Sequence, residues 1–393
     1  MKKSRVYICH TYYHAYQATV KELVRRREIL RCAQNDTDAV ANRTDAVANR
    51  TDAVANRTDA VILSGAKDLP DIILSTMSND FETLDQRLQV SGVFGNVYLF
   101  DEREDVTDET VMSYHRDKGN LIANLLQRIT YTRLLGKLQE PCIPVDLSQY
   151  GDIYVFCDSD PIGYYLNYKK LPYHAIEDGL NSGKLDDQAR NANRGAFWLK
   201  KLLAETGLIF IESGYSRYCI DYEVNDISVN KNPPKNIIQC PVEDLYAQLT
   251  KEDHETLVRI FMPDAEEIRG LLSAGDYSRP KVMILTEPLC ALDVRERLFR
   301  DIVEMYASDH TVIIKPHPRD LLDYEEAFPE QIVIRGRFPM EVIGDMPELQ
   351  VDKLVSVVTQ VDHVRFAKEI VYLGMDFMDR YEAPELHRKN ELL

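Results

Sequence analysis

The chain has no run of apolar residues approaching the roughly 18–20 that a membrane-spanning helix needs. Its seven cysteines (Cys9, Cys32, Cys142, Cys157, Cys219, Cys240 and Cys290) form no CxxC pair and no His/Cys cluster at metal-ligand spacing. An odd, scattered set excludes a disulfide scaffold and a zinc module, and reads as buried free thiols in a reducing compartment. Basic side chains are in deficit: 47 Lys and Arg against 64 Asp and Glu leave a net charge of −17. A nucleic-acid binder needs a basic surface to displace phosphate counterions, so no nucleic-acid partner is expected. An anionic small substrate stays open, because a few local cations and helix N-termini suffice to bind one. Residues 1–16 start basic like a signal peptide, but polar and aromatic residues interrupt the apolar stretch, and a cytoplasmic chain is expected.

At 393 residues, with 45% hydrophobic and 28% charged side chains, the composition is that of a soluble globular protein of two to three domains, most simply two. One segment departs from this. Thr37-Asp-Ala-Val-Ala-Asn-Arg43 recurs unchanged at Thr44 and Thr51, and a fourth copy starts at Thr58. A coiled coil needs apolar residues at a/d spacing, whereas Ala39, Val40 and Ala41 are adjacent. Identity between copies points to a tandem coding expansion, and the flanks resemble translated bacterial intergenic repeats. Residues 28–69 are therefore read as an insertion, a surface loop that is disordered or loosely helical, without a catalytic role.

The remaining chain alternates short apolar runs with helical periodicity, the pattern of parallel sheets covered by helices. Strands are expected over 5–9, 71–75, 96–100, 152–157 and 173–176, with helices over 121–138 and 196–205 between them. After a polar, Pro/Gly-punctuated stretch from Pro263 to Pro280, read as a linker around a short helix, the alternation restarts, with strands over 281–285, 311–314, 331–335, 353–357 and 369–373 and a helix over 294–306. Two Rossmann-like domains follow: 1–265, a linker over 266–280, and 281–393. Ligands of open α/β sheets lie beyond the carboxyl ends of the strands, which makes residues just after each strand the site candidates.

Four strand ends carry chemistry. His10-Thr11 opens a helix whose N-terminal N–H groups suit an anion or a polar acceptor, the plainer account being a capping Thr and a surface His. Glu177-Asp178-Gly179 puts two acids on a tight turn. Crowding is expected to raise the pKa of one carboxylate and make it a base, although acid-acid-Gly turns are commonly just solvated. Lys315-Pro316-His317-Pro318-Arg319 locks one His between two prolines amid cations, suited to binding a phosphate or protonating its departure. Ser356 and Thr359 close a strand with hydroxyls that either cap a helix or hold phosphate oxygens. Asp158-Ser159-Asp160 is a competing signal, because two acids one residue apart suggest a Mg²⁺ or Mn²⁺ site, but the triplet is frequent by chance and no metal is expected.

Taken together these pieces resemble the bacterial sialyltransferases, most closely glycosyltransferase family 52, which includes lipooligosaccharide sialyltransferases. The resemblance rests on Glu177-Asp178-Gly179, His317-Pro318, the Ser356/Thr359 strand end and the opening Ile8-Cys9-His10-Thr11, and covers most of the chain outside 28–69. It implies an α/β fold of GT-B type, two Rossmann-like domains facing a central cleft, with acceptor on the N-terminal side and nucleotide-sugar donor on the C-terminal side. It implies an inverting, metal-independent transferase that uses CMP-sialic acid as donor substrate and needs no cofactor. Carried over by position, Asp178 is the base and His317 binds the donor phosphate and assists departure of CMP. Lys315, Pro318, Ser356 and Thr359 belong to donor binding. Some members assign the base to an acid upstream of the His-Pro pair, which makes Glu287 and Asp293 rival candidates beside His10, Thr11, Glu177 and Gly179.

The expected partners are a nucleotide sugar and a glycan acceptor on lipooligosaccharide or capsule, with a homodimer left open. Lys21 with Arg25-Arg26-Arg27 offers a basic face for peripheral contact at the inner face of the plasma membrane; an ordinary solvated helix end is the plainer account. The rival functions are a GT-B transferase using another nucleotide sugar, a non-catalytic glycan- or nucleotide-binding relative, and a nucleotide-sugar 2-epimerase.

Overall fold

The structure, a computed structural model, describes residues 3–42, 69–77, 80–102, 113–114, 117–179, 193, 195–230, 232–274, 279–288, 290–317, 320–359, 361 and 364–384. It divides into two compact units, Met1–Asp253 and His254–Leu393.

The first unit is built on seven parallel strands: β1 (Lys3–Cys9), β2 (Asp71–Ser75), β3 (Val97–Phe100), β4 (Tyr150–Phe156), β5 (Tyr173–Ile176), β6 (Cys219–Val224) and β7 (Ile237–Gln239). Their order in the sheet is β3-β2-β1-β4-β5-β6-β7. The order reverses between β1 and β4, which is the topological switch point where doubly wound sheets hold ligands. Near-continuous apolar runs make the central strands: every residue of Asp71–Ser75 is buried, as are the last five of Lys3–Cys9. Such strands need helices on both faces. These include α1 (Tyr12–Asn42), α2 (Leu84–Ser91), α3 (Leu121–Gln139), α4 (Pro161–Lys169) and α5 (Phe197–Glu205).

A buried bidentate pair fixes α1 against β1: Arg5 donates to both carboxylate oxygens of Glu22 at 2.7 and 2.9 Å, and the Tyr7 hydroxyl adds a third bond at 2.7 Å. Where α3 passes α4, Gly136 allows backbone contact, since a Cβ there would lie 2.5 Å from the Tyr164 carbonyl oxygen. The expected insertion falls partly on described residues: 28–42 continue α1 as regular helix, while 43–68 lie outside the described residues.

The second unit begins earlier than expected. Helices α6 (Val242–Tyr246), α7 (Lys251–Phe261) and α8 (Ala265–Ala274) precede its sheet, and most of α7 with all of α8 belongs to it. The stretch taken for a linker from 266 is thus largely an amphipathic helix whose Ile268 and Leu272 are buried. The sheet holds β8 (Lys281–Leu285), β9 (Thr311–Lys315), β10 (Ile332–Val333), β11 (Val351–Ser356) and β12 (Ala367–Tyr372), all parallel, in the order β10-β9-β8-β11-β12. Its switch point lies between β8 and β11. Val282, Ile284, Val312, Ile314 and Val355 form the core with Leu298, Phe299 and Ile302 of α9 (Leu292–Tyr306). Each unit is Rossmann-like, and two such units in one chain make the α/β fold of GT-B type.

The basic face expected at Lys21 and Arg25–Arg27 is not open. Lys21 pairs with Glu223, Arg25 with the Tyr154 hydroxyl and Arg27 with Asp253, while Arg26 donates to the Gly92 and Val93 carbonyls. Lys21 is half-buried against Glu223 of β6 and Cys240 just after β7, not left on a free helix face. The cysteines with described side chains are free, but only Cys9 is buried; Cys142, Cys157, Cys219, Cys240 and Cys290 are half-buried.

Candidate active site

In the first unit the loops after β1, β3, β4 and β5 converge. β1 ends at Cys9, so His10 emerges at the switch point and Thr11 caps α1, its hydroxyl accepting the His14 N–H at 3.1 Å. Thr11 therefore has the capping role.

His10 is 4% exposed rather than a surface residue. Its Nδ1 lies 2.9 Å from the Phe156 carbonyl oxygen and its Nε2 2.8 Å from Glu102 Oε2. With acceptors on both sides the ring carries both protons. Burial opposes that charge, but the hydrogen bond and charge of Glu102, together with Asp160, override it and raise His10 to a pKa of about 9. Glu102 is itself fixed by the Ser75 hydroxyl at 2.7 Å and the Ile162 N–H at 2.6 Å.

One turn along α1 stands His14, fully buried. Its Nδ1 accepts the backbone N–H of His10 at 3.1 Å, which leaves the proton on Nε2. Nε2 donates to Asp178, 2.7 Å from its carbonyl oxygen and 3.1 Å from Oδ1. Burial lowers the His14 pKa, and the hydrogen bond from His14 holds Asp178 below the usual carboxylate range. A neutral imidazole thus aims its one N–H at an ionised carboxylate whose side chain is 60% exposed.

The crowding expected between Glu177 and Asp178 does not occur. Glu177 turns inward and accepts the Asn225 N–H at 2.5 Å, while Asp178 faces outward. Gly179 has open space where a Cβ would stand and is not required by close approach. The carboxyl that is raised near neutrality is Asp160, at the start of α4. Burial, then the charges of Glu102 and Asp178, lift it to about 6 against the opposing pull of His10, 3.4 Å away. Asp158 is also lifted by burial to about 6, but it points into the unit, accepting the Tyr173 hydroxyl at 2.8 Å and the Ser213 N–H at 2.6 Å. The two acids of the Asp-Ser-Asp triplet thus serve different neighbours. Just before them Cys157 holds a left-handed φ of 58°, a strained conformation located at the switch point.

In the second unit the loops after β8, β9 and β11 meet. Lys315, the last residue of β9, is 5% exposed; its Nζ donates to the Pro316 carbonyl at 3.1 Å and lies 4.3 Å from the centre of the Phe338 ring. Burial pulls its pKa down to about 8. His317 follows, half-buried, its backbone N–H donating to the Thr286 hydroxyl at 2.9 Å. That hydroxyl bonds Asp320 at 3.1 Å, and Asp320 is held by Arg295 at 2.5 Å and by the Tyr324 hydroxyl at 2.8 Å. Pro318 and Arg319 lie outside the described residues.

Glu287 occupies the nest after β11. Its carboxylate accepts the Ser356 hydroxyl at 2.9 Å and the Val358 and Thr359 N–H groups at 3.1 and 2.7 Å. Ser356, fully buried, also bonds the Thr359 carbonyl at 2.8 Å. The hydroxyl and amides expected around a phosphate are therefore wrapped on a carboxylate of the same chain. Asp293 stands exposed on the first turn of α9, away from any such network.

The residues that reading the sequence missed are His14, Glu102, Thr286, Arg295 and Asp320, and Asp160 was weighed there only as a metal ligand. Signals for two were present: His14 stands four residues after His10, just inside the helix that His10 precedes, and Glu102 follows a strand end. The others touch the site through contacts that no local pattern announces.

A family model, "Glycosyltransferase family 52", matches residues 142–358, more than half of the 393 residues, and the chain belongs to that family. It is therefore a glycosyltransferase. An uncharacterized protein of Haemophilus influenzae is 26% identical over 121 residues, 30% of this chain and 37% of that protein's length. The chain thus matches little more than a third of that relative. Among solved structures, an alpha/beta-galactoside alpha-2,3-sialyltransferase from Photobacterium phosphoreum aligns with a TM-score of 0.47 at 12% identity, covering 95% of this chain and 91% of that one. A UDP-GlcNAc 2-epimerase from Neisseria meningitidis aligns with 0.42 at 9% identity, covering 90% and 77%. A sialyltransferase from Photobacterium damselae aligns with 0.32 at 15%, covering 91% and 86%. Among the described residues no helix is long and apolar enough to cross a membrane.

Proposed function

We propose that this glycosyltransferase moves sialic acid from CMP-sialic acid, with inversion, onto a terminal sugar of a cell-surface glycan such as lipooligosaccharide or capsule. The observation that carries the reading is the His14–Asp178 pair: an ionised, outward-facing carboxylate at a strand end, oriented by a buried neutral imidazole. Asp178 takes the proton of the acceptor hydroxyl while the new glycosidic C–O bond forms. The bond from the sugar to the CMP phosphate breaks, and CMP leaves with the electron pair. In water Asp178 is a weak base; entry of a sugar hydroxyl expels water and strengthens it. His317 meets the charge growing on the departing phosphate, and Lys315, two residues earlier at the same strand end, is assigned to the donor side. Pro318 is assigned to the donor side, whereas the Ser356–Thr359 nest is not, because Glu287 already fills it.

Asp178 is preferred to Glu287 and Asp293. Glu287 is 4% exposed with its carboxylate spent on three donors, and Asp293 stands outside the network. The reading requires no metal and no cofactor. Asp158 and Asp160 serve separate partners, Tyr173 and His10.

The test is CMP release from CMP-sialic acid in EDTA, with and without a lactose-type acceptor. Acceptor-stimulated release is expected, lowered by roughly 10²–10⁴ in Asp178→Asn and by a comparable factor in His317→Ala. Release that depends on added Mg²⁺, or an Asp178→Asn enzyme as fast as wild type, overturns the assignment. Competition by UDP rather than CMP moves the reading to another nucleotide sugar.

A further inference from the structure

Asp178 is not the only carboxylate that opens to solvent at the first switch point. Asp160 stands at the N-cap of α4 with its side chain 22% exposed, yet its carboxylate makes no cap hydrogen bond to the helix. The N–H that an N-cap acid ordinarily takes, that of Ile162, is held instead by Glu102 at 2.6 Å. The nearest cation, His10, lies 3.4 Å away, but its Nε2 proton is directed to Glu102 at 2.8 Å. Asp158 shows what a structural acid looks like here: it points into the unit and accepts the Tyr173 hydroxyl and the Ser213 N–H. Asp160 has no such set of donors.

The other neighbour of Asp160 is the Cys157 thiol, which reaches both Asp160 and Asp178 and lies 2.9 Å from the Ser159 hydroxyl. A thiol is a weak donor with one hydrogen and cannot satisfy two carboxylates. The mouth of the switch point is therefore rich in acceptors and poor in donors. A phosphate or a sugar carboxylate is repelled by such a pair. Hydroxyl groups fit it, because each O–H can donate to a carboxylate in a charge-assisted bond. Both carboxylates lie within reach of the same sulfur atom, and two neighbouring hydroxyls of one sugar ring can span a gap of that kind.

We propose that Asp160 is a second acceptor-binding residue: Asp178 takes the reacting hydroxyl of the acceptor sugar, and Asp160 accepts a hydrogen bond from the hydroxyl on the adjacent ring carbon. This rests on the reading of Asp178 as the base and deepens it, since the acceptor must then carry a vicinal diol. Held at two points, the sugar presents one hydroxyl for transfer and not its neighbour. The charged and titratable groups facing Asp160 are His10 after β1, Glu102 after β3, Cys157 after β4 and Asp178 after β5.

The test uses the full chain, CMP-sialic acid, a lactose-type acceptor and analogues of it that lack one hydroxyl beside the reacting one. Asp160→Asn keeps the size of the side chain, and circular dichroism checks its fold. Its KM for acceptor is expected to rise roughly tenfold, the loss of one hydrogen bond to a charged group, while kcat and the donor KM change far less. In wild type one analogue suffers a similar loss, because a site built to bind a hydroxyl rejects a ligand without it. In Asp160→Asn that analogue and the parent acceptor have equal KM; a merely structural role would leave the difference between them intact. From about pH 5 to about pH 7.5 the wild-type acceptor KM falls as Asp160 ionises through about 6, and the variant lacks that step. Saturation-transfer NMR reads binding of the parent acceptor without turnover, and it is expected to weaken in Asp160→Asn. If Asp178→Asn is as fast as wild type while these Asp160 effects persist, the base lies elsewhere and Asp160 keeps its role. An unchanged acceptor KM in Asp160→Asn, an analogue penalty of equal size in both chains, or equal NMR binding overturns the proposal and leaves Asp178 untouched.

Discussion

His10 is a buried imidazole with an acceptor on each ring nitrogen, and its protonation is coupled to folding. Its pKa in the folded chain, about 9, stands above the ordinary 6.5. The group therefore contributes stability that is fully present below about pH 6.5 and lost as pH rises through about 9. The charged groups facing it are Glu102 and Asp160, with the Phe156 carbonyl on the other nitrogen. Asp158 and Asp160 titrate lower, near 6, so their loss with rising pH is largely complete before that of His10. Urea denaturation between about pH 6 and pH 9.5 is expected to show a fall in stability, and His10→Gln removes part of that fall. Because thiols and phenols also titrate at the upper end, the difference between wild type and variant is the quantity to read. An equal fall in both chains would mean that the imidazole is neutral when folded. This cluster is a product of tertiary structure: Glu102 stands 92 residues from His10 in sequence. Asp178 at a strand end was legible in the sequence; that His14 orients it, and that its pKa goes down instead of up, was not.

Elements carry the second lesson. β2, β5 and β8 fall where apolar runs between turn residues put them, because strands buried on both faces leave a continuous signature. β6 and β7 escaped, since Cys219–Val224 is mostly half-exposed and Ile237–Gln239 is a three-residue edge strand. α8 was expected as a short helix within a linker; that it packs into the second unit through Ile268 and Leu272 was not legible, because flanking prolines and a glycine outweighed its short amphipathic period. The loop after β9 shows how elements cooperate at the site. Thr286, just past β8, accepts the His317 N–H and links it to the buried Asp320–Arg295 pair, whose side chains are 0% and 7% exposed. Thr286→Val keeps the shape of the side chain and removes both bonds. The expected cost is about 1–3 kcal/mol in urea denaturation, from the unsatisfied N–H. With the His317 backbone released, kcat for CMP release falls by roughly tenfold, as a slight misplacement of a positioned group allows. A variant with unchanged stability and kcat would show that this linkage does not position the His.

At the scale of the whole molecule, the repeat interrupts the first βαβ unit without disturbing its strands. β1 and β2 stay in parallel register, Val6 with Asp71 through Cys9 with Leu74, although the repeat falls between them in sequence. Treated as a connection between fixed ends, a segment halved in length changes closure entropy by about 0.6 kcal/mol. Deleting residues 44–57, two whole copies, is therefore expected to shift Tm by no more than about 2 °C. CMP release should survive the deletion. Loss of the folded state would show that the repeat packs into the unit. The sequence by itself determined the class of fold, the two-unit plan, the family and the strand-end positions of Asp178, Lys315 and His317. Those depend on local apolar period and on turn residues, which a chain displays along its length. Only the tertiary structure decided which groups are charged and which are spent: that Glu287 fills the nest of Ser356 and Thr359, and that Lys21 and Arg25–Arg27 are taken up by internal partners. Those outcomes depend on burial and on partners far apart in sequence, and neither exists until the chain has folded.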